Sequence, residues 1–218
     1  MARNFVRYTR SRSDRRQRVP LRITDMTAAD AWWWDRRMGP HHFRQPQRAD
    51  RWWAWSVLLP ACHLIQLAKQ RYCRPLVIWA PIDDGRFMRV AMSIQIERYP
   101  HLDVRVPAEV GFVWFISAAD HEVLRAQFGM SHAPTLGRAL LDNAMVLSAH
   151  EGLEGRIGLH AAPAGGQELL ALYRRCGLLQ LPQATALPPS IQRRNDGRFF
   201  YADEPTAERL CKSLDADR

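Results

Sequence analysis

The residues of this chain that could do chemistry are few, and the most informative of them is a tyrosine. Tyr173 lies in the stretch 136–178, LGRALLDNAMVLSAHEGLEGRIGLHAAPAGGQELLALYRRCGL, near the end of a predicted helix. A phenol in such a place can donate a hydrogen bond or a proton to an atom that gains negative charge. The leucines beside it allow the alternative that Tyr173 is a core residue with a satisfied hydroxyl.

The cysteines and histidines do not indicate a metal site. The 4 cysteines contain no CxxC pair, which favours reduced thiols and a cytoplasmic location. His41 and His42 are adjacent but lack a companion set of ligands, so no metal is expected. His160 falls in a predicted strand, where a histidine is more often a satisfied core residue than a catalyst.

Apolar periodicity separates 136–178 into a helix, a strand and a second helix. Leucines recur at helical spacing from Leu136 to Leu147, and glycines follow them. Residues 156–161 then indicate a short buried strand, and the second helix is predicted to run to Gly177.

The rest of the sequence predicts further helices and strands that together make a mixed α/β domain. Helices are predicted over 27–38 and from residue 49 or 50 to 72, with a kink or restart at Pro60. Strands are predicted by β-branched and aromatic content at 75–80, 86–97, 111–117, 178–181 and 198–202. A short helix at 120–128 and a last helix at 205–214 complete the order.

Positive charge is concentrated at the start of the chain. Residues 1–22 contain 8 arginines and 1 acid, so they hold 8 − 1 = 7 of the formal net charge of +9. Because few apolar groups separate these charges, a disordered tail is predicted before a single domain at 23–218. The tail could bind a nucleic acid, dock on an anionic membrane surface, serve as an organellar transit peptide, or have no partner. No integral membrane contact is expected, since the longest apolar stretch, 57–68, is short and interrupted.

The order helix, strand, helix and tyrosine resembles the acyl-CoA-binding core of the GNAT superfamily of N-acyltransferases. The similarity extends over residues 50–202, with a first strand near 21–24. It implies a GNAT-like α/β fold, in which helices flank a mixed central sheet of about six or seven strands. It also implies acyl-CoA, most simply acetyl-CoA, as cosubstrate and an amine as acceptor.

The resemblance assigns cofactor contacts to two segments. In that family the fourth strand parts from the fifth, and the pantetheine arm pairs with the exposed backbone. The fourth-strand residues are here Trp114, Phe115, Ile116 and Ser117. The pyrophosphate lies on amides at the start of the next helix. The residues assigned to it are His132, Ala133, Thr135, Leu136, Gly137 and Arg138, with Gly166 at the position of a cofactor-holding asparagine.

The resemblance also assigns the catalytic groups. Tyr173 becomes the general acid that protonates the departing thiolate. An amine acceptor must lose a proton, and Asp120 and Glu122, just after the fourth strand, are the candidates for its general base. Each could instead be a helix cap or a surface acid. His121 and Glu109 are weaker candidates.

The tryptophans precede the sheet, in the region where this fold builds its acceptor pocket. The consecutive Trp32, Trp33 and Trp34 cannot share one helix face. An aromatic wall would suit an apolar acceptor or a long acyl chain, and core packing or a homodimer contact explains it at least as well.

The predicted function is therefore an acyl-CoA-dependent N-acyltransferase, most simply an acetyltransferase, that transfers its acyl group directly to an amine. Two alternatives remain open. One is a GNAT-like domain that has lost catalysis and serves as a scaffold, and the other is an RNA- or ribosome-associated protein that uses the arginine-rich tail.

Overall fold

Eight strands form one mixed sheet in the computed structural model, which describes residues 6–12, 18–69, 72–131, 134, 136–191 and 194–215. The strands are β1 (Val6–Arg12), β2 (Arg18–Asp25), β3 (Cys73–Pro81), β4 (Phe87–Pro100), β5 (Glu109–Ala118), β6 (Ile157–His160), β7 (Leu179–Gln180) and β8 (Phe199–Ala202). The helices are α1 (Ala28–Arg37), α2 (Gly39–Phe43), α3 (Trp55–Lys69), α4 (His121–Phe128), α5 (Leu136–His150), α6 (Gly166–Arg175) and α7 (Glu204–Asp215).

The strand order is β1-β2-β3-β4-β5-β6-β8-β7. All neighbours are antiparallel except β5 and β6, which are parallel. This is the mixed α/β class predicted from the sequence, and α5 supplies the crossover that a parallel pair requires. The sheet has more strands than expected because the first residues of the chain extend it.

Two strands include residues 6–12 and 18–22, which belong to the segment for which the sequence predicts a tail. β1 pairs with β2, and β2 pairs with β3, so both strands belong to the sheet. In β2, the buried Val19, Leu21 and Ile23 alternate with the exposed Pro20 and Arg22. This is the pattern of a strand with one face in the core, and the high arginine content obscured it in the sequence.

The buried side chains form two clusters. The larger surrounds β2, β3, β4 and β5 together with α1 and α3. The smaller surrounds β6, β8, α6 and α7. Side chains of α5 contribute to both clusters, so this helix joins the two halves of the core.

The three consecutive tryptophans of α1 lie in three different environments, because consecutive residues cannot share one face of a helix. Trp32 is exposed beneath the guanidinium of Arg36, whereas Trp34 is buried in the core. Trp33 is half-buried, with its ring centroid 5.9 Å from that of Phe128. The helix that carries the run begins with a capping box between Thr27 and Asp30, as the sequence predicts for position 27.

The second aromatic segment differs from the prediction. Residues 39–43 form α2, and the next helix begins at Trp55, not near residue 49 or 50 as the sequence predicts. α3 then continues through Pro60 without a restart. Pro60 lies only five residues after the start of α3 and its ring is exposed, so the helix loses one hydrogen bond near its N-terminus and continues.

Within the part of the chain that the structure describes, no helix is long and apolar enough to cross a membrane. None of the 4 cysteines forms a disulfide.

Candidate functional site

The parallel strands β5 and β6 part soon after they meet. Their pairing ends at Val113 and Leu159. β6 itself ends at His160, whereas β5 continues to Ala118 along its other neighbour, β4. Among the described residues, no strand therefore lies beside the far end of β5 on the β6 side, as the family resemblance implies.

A bulge in β5 accounts for the parting. Ile94 of β4 faces Phe115, but the next residue, Gln95, faces Val113, so Trp114 is an extra residue in β5. A bulge bends its strand and increases the local twist. β5 consequently turns away from β6 beyond Val113.

A cavity of about 660 Å³ opens where the strands part. Trp114, Phe115 and Ile116 of β5, His160 of β6 and Tyr173 of α6 all line it. The structure thus brings together three of the predicted pantetheine-contacting residues and the predicted general acid.

Tyr173 packs on the core and faces the cavity at once. Its ring centroid lies 5.5 Å from that of Phe200. Burial raises the pKa of Tyr173 well above its ordinary value, and the nearby Cys176 and Asp50 add to the increase. The phenol is therefore neutral at physiological pH and retains a proton to donate.

The predicted phosphate-binding residues are described only in part. Leu136, Gly137 and Arg138 form the first turn of α5, where backbone amides have no partner within their own helix. A Cβ built on Gly137 would lie 4.0 Å from Cδ1 of Leu172, so α5 begins against α6, beside Tyr173. Three predicted residues lie outside the described chain: His132, Ala133 and Thr135.

The turn from β6 into α6 is held by one arginine. The guanidinium of Arg198 donates to the carbonyl oxygens of Ala161 at 2.7 Å, Ala162 at 3.0 Å and Gly166 at 3.1 Å. Gly166 has a φ of +55° and a ψ of −151°, a conformation that glycine adopts readily and that is strained for other residues. An asparagine at this position, as the family often has, would be under strain.

The predicted general bases do not reach the cavity. Asp120 caps α4 and accepts a hydrogen bond from the amide of Glu122, whose side chain is exposed. Nε2 of His121 lies 2.9 Å from the carbonyl oxygen of Pro134, and Glu109 pairs with Arg98 on the surface. The capping alternative, which the sequence left open for Asp120, describes its role in the structure.

Ser117 points away from the gap between the strands, into a buried polar cluster. Its hydroxyl donates to Asp50 at 2.5 Å, and the guanidinium of Arg48 donates to both carboxylate oxygens of Asp50, at 2.8 and 2.7 Å. Arg48 also donates to the carbonyl oxygen of Ala118 at 2.6 Å. Burial alone would raise the pKa of Asp50, but Arg48 holds it below its usual range. The cluster ties the segment before α3 to the end of β5.

His42 completes this cluster. Its Nδ1 lies 3.4 Å from a carboxylate oxygen of Asp50, and its Nε2 has no partner among the described residues. Burial lowers the pKa of His42 to about 4, although Asp50 opposes the shift. His42 is therefore neutral at physiological pH.

His160 is not the core residue that its strand position suggests. It lines the cavity, its ring centroid lies 4.5 Å from that of Phe199, and its Nε2 lies 3.1 and 3.2 Å from the two carboxylate oxygens of Asp196. Burial alone would raise the pKa of Asp196, but hydrogen bonds from His160 and from the amide of Arg198 hold it below its usual range.

Sequence reasoning missed Asp196 and Asp50 as site residues. Their partners, His160 and Ser117, are 36 and 67 residues away in the chain. The only signal for Asp196 is the turn sequence Asn195, Asp196 and Gly197, which predicts a turn and says nothing about a histidine across the sheet.

Comparison with protein-family models and with curated proteins found no match. Comparison with solved structures found acetyltransferases. A candidate acetyltransferase is similar with a TM-score of 0.50 at 13% identity, over 90% of this chain and 92% of that one. Spermidine N-acetyltransferase from Vibrio cholerae, in complex with CoA and spermine, gives 0.49 at 12% identity, over 86% and 98% of the two chains. A GNAT superfamily phosphinothricin acetyltransferase from Sinorhizobium meliloti, in complex with AcCoA, gives 0.44 at 12% identity, over 83% and 86%.

At these identities the similarity concerns the fold. Together with the strand order and the flanking helices, it confirms the mixed α/β fold predicted from the sequence, which this chain shares with the candidate acetyltransferase.

Proposed function

We propose that this chain is an acyl-CoA-dependent N-acyltransferase, most simply an acetyltransferase, that transfers the acyl group directly to an amine. The observation that carries the proposal is the cavity between the parted strands, with Tyr173 in its wall. A thioester carrier requires unpaired strand backbone along which it can bind, and β5 offers this beyond its last pair with β6. It also requires a proton for the departing sulfur, and the protonated phenol of Tyr173 could supply one.

The residues present fit the pantetheine arm of acyl-CoA. The backbone of Trp114, Phe115 and Ile116 lies beyond the last pair with β6, and an amide-bearing chain could add to it as a short strand. Ser117 is also part of this strand edge, with its hydroxyl held away from the gap by Asp50. The side chains of β5 would then form walls of the cavity, and the backbone of β5 would bind the pantetheine arm.

The start of α5 fits the pyrophosphate. First-turn amides and the helix dipole favour an anion, and the exposed Arg138 adds a positive charge. We extend the proposal to His132, Ala133 and Thr135, which precede this turn in the sequence. Gly166 would contribute backbone at the opposite edge, in the turn that Arg198 holds.

The chain's own groups account for the proton transfers. When bound, acyl-CoA supplies an activated carbonyl carbon and a thiolate leaving group. Tyr173 holds a proton on its hydroxyl because burial raises its pKa, and donation of that proton to the sulfur would prevent the thiolate from re-attacking.

A cytoplasmic setting is part of the proposal, supported by 4 cysteines that form no disulfide. Nucleic-acid binding through residues 1–22 and a homodimer stay predictions from the sequence.

Titration calorimetry of the full chain with acetyl-CoA tests the proposal. We expect saturable binding, and we expect release of free thiol when an amine is added. No heat at millimolar acetyl-CoA would overturn the cosubstrate. Binding without thiol release, across a broad panel of amines, would instead favour the scaffold alternative.

A further inference from the structure

We propose that the cavity receives an amine carried on an apolar, ring-sized body, and that the His160–Asp196 pair takes the proton that this amine loses. The inference rests on the proposed function, because it assigns the acceptor side of the same site.

Part of the cavity wall is aromatic. Trp53, from the segment before α3, stacks edge-on against Phe115 with their ring centroids 4.9 Å apart. Tyr99 and Phe112 form a second ring pair, with centroids 4.9 Å apart. The two pairs line the cavity together with Ile65. Rings held in this way offer flat apolar surfaces to a flat apolar ligand.

Charge is missing from this wall. Among the described residues that line the cavity there is no aspartate, glutamate, lysine or arginine. A polyamine would have to leave water there without a carboxylate to receive its charges, which is costly. An amine with one charge and an apolar body places its body on the rings, and its single ammonium can lie over an aromatic face.

The His160–Asp196 pair is the feature that favours an amine over a long acyl chain. The side chain of His160 is 13% exposed and that of Asp196 is 42% exposed, so the histidine is in the cavity wall and its acid partner reaches solvent. An acyl chain gains nothing from a proton acceptor in its pocket, whereas an amine nucleophile needs one. A carboxylate beside an imidazole stabilises the imidazolium that forms when the ring accepts a proton.

The chemical step balances with these groups. The bound ammonium first releases one proton to solvent and becomes a neutral amine. The amine nitrogen then attacks the thioester carbonyl, a C–N bond forms, and the second proton of the nitrogen passes to the imidazole ring of His160. The C–S bond then breaks, and Tyr173 donates its proton to the departing sulfur. The proton on His160 returns to Tyr173 through solvent, so both groups are neutral for the next turnover. Asp196 is a positioning residue in this scheme because it acts through His160.

A paired substitution tests the acceptor wall. With acetyl-CoA and 2-phenylethylamine, Trp53→Ala should raise KM for the amine by about tenfold or more, because it removes one ring of the wall. Calorimetry should give an unchanged affinity for acetyl-CoA, which also shows that the variant is folded. Trp52→Ala is the matched control, since Trp52 is the adjacent tryptophan and 65% of it is exposed. It should leave KM unchanged.

The pH profile tests the pair. The charged or titratable groups around His160 are Asp196 and Arg198 on the β8 side, and Tyr99 and Tyr173 in the cavity. His160→Gln should lower kcat by about a hundredfold and remove the acidic limb of the kcat/KM profile. Asp196→Asn should move that limb to lower pH. His63→Gln, at an exposed histidine of α3, should change neither.

The outcomes separate the two proposals. If acetyl-CoA does not bind, the proposed function fails. If acetyl-CoA binds but spermidine is acetylated with a higher kcat/KM than 2-phenylethylamine, only the present inference fails. The inference also fails if Trp53→Ala changes the preference among acetyl-, hexanoyl- and decanoyl-CoA and leaves the KM for the amine unchanged, because the aromatic wall would then bind the acyl chain.

An acidic limb of the kcat/KM profile that persists in His160→Gln would overturn the role of the His160–Asp196 pair.

Discussion

Tyr173 illustrates how a single residue can serve packing and chemistry together. Its ring lies against Phe200 in the smaller core cluster, and the residue also lines the cavity. Because burial raises its pKa, the phenol is protonated over the whole physiological range. The same burial that stabilises the fold thus keeps Tyr173, the proposed general acid, in the form that can donate a proton.

Tyr173→Phe tests this role with little change in packing. The variant retains the ring and loses only the hydroxyl, so we expect kcat for thiol release to fall by about a hundredfold or more. The affinity for acetyl-CoA in calorimetry should be unchanged. A kcat equal to that of the native chain would show that the thiolate leaves without help from this residue.

His42 makes stability depend on pH in a defined window. Its folded pKa of about 4 is below the value of 6.5 expected for the unfolded chain, so the unfolded state binds the proton more readily between these values. The stability contributed by neutral His42 is complete above pH 6.5 and is lost as the pH falls toward about 4. The full loss is about 3 kcal/mol.

Urea unfolding at several pH values between 7 and 4.5 measures this loss. The native chain should lose free energy of unfolding across the window, and His42→Gln should give a flatter dependence. His63→Gln should follow the native chain, because that histidine is exposed. Equal slopes in all three proteins would mean that other groups cause the acid sensitivity.

Individual site residues could be predicted from the sequence only where they belong to a local pattern of helices and strands. Tyr173, Trp114, Phe115 and Ile116 were identified from an ordered run of elements, and the structure brings all four to one cavity. Asp196 was not identified, because its pairing with a histidine depends on how β8 lies beside β6. One sequence contains no local signal for such a contact.

At the scale of elements, β5 is the strand on which the site depends. One side of it is paired with β4 along most of its length, and the other side is paired with β6 only as far as Val113. The bulge at Trp114 separates the paired portion from the open portion. The open portion is therefore available to a ligand without the loss of any existing strand pairing.

Amide hydrogen exchange tests this division of β5. We expect acetyl-CoA to slow exchange in residues 114–117, because an amide-bearing arm would satisfy part of their backbone. Residues 111–113 should change little, since β6 already pairs with them. Slowed exchange confined to 111–113, or none along the strand, would contradict backbone binding at this position.

The elements themselves were largely predictable, and the exceptions have physical reasons. The strand predicted at 156–161 agrees with β6 within one residue at each end, and the leucine spacing from Leu136 to Leu147 correctly indicates the helix α5. The sequence predicts only residues 21–24 of β2 as a strand and misses β1, because the arginine count of residues 1–22 favours a tail. The restart expected at Pro60 is absent from α3, because a proline close to a helix start disturbs few hydrogen bonds.

For the molecule as a whole, the first 25 residues contribute to the sheet and to the larger core. Leu21 and Ile23 are fully buried, and β2 lies between β1 and β3. A protein that lacks β2 would lose these apolar contacts and would expose the edge of β3 to solvent. The basic start of the chain and the stability of the fold are therefore linked.

Two truncations test whether the first residues of the chain contribute only positive charge or are also needed for the fold. Deletion of residues 1–17 should leave a folded protein, because β2 and its buried side chains remain. Deletion of residues 1–25 removes Leu21 and Ile23, each of which contributes about 2–5 kcal/mol, and should abolish cooperative unfolding. Thermal denaturation followed by circular dichroism distinguishes the two. A cooperative transition in the longer deletion would contradict the role assigned to β2.

The short contact between the parallel strands also bears on how the molecule can flex. β1 to β5 and β6 to β8 lie in halves of the sheet that meet along the few pairs ending at Val113 and Leu159, with α5 packed into both. Phe199 of β8 belongs to the larger cluster and Val113 of β5 belongs to the smaller one, so a rotation of one half about this junction would have to repack both clusters. The core is therefore expected to hold the gap at one width, and the size of acyl group that can be accommodated would be set by the side chains that line the cavity.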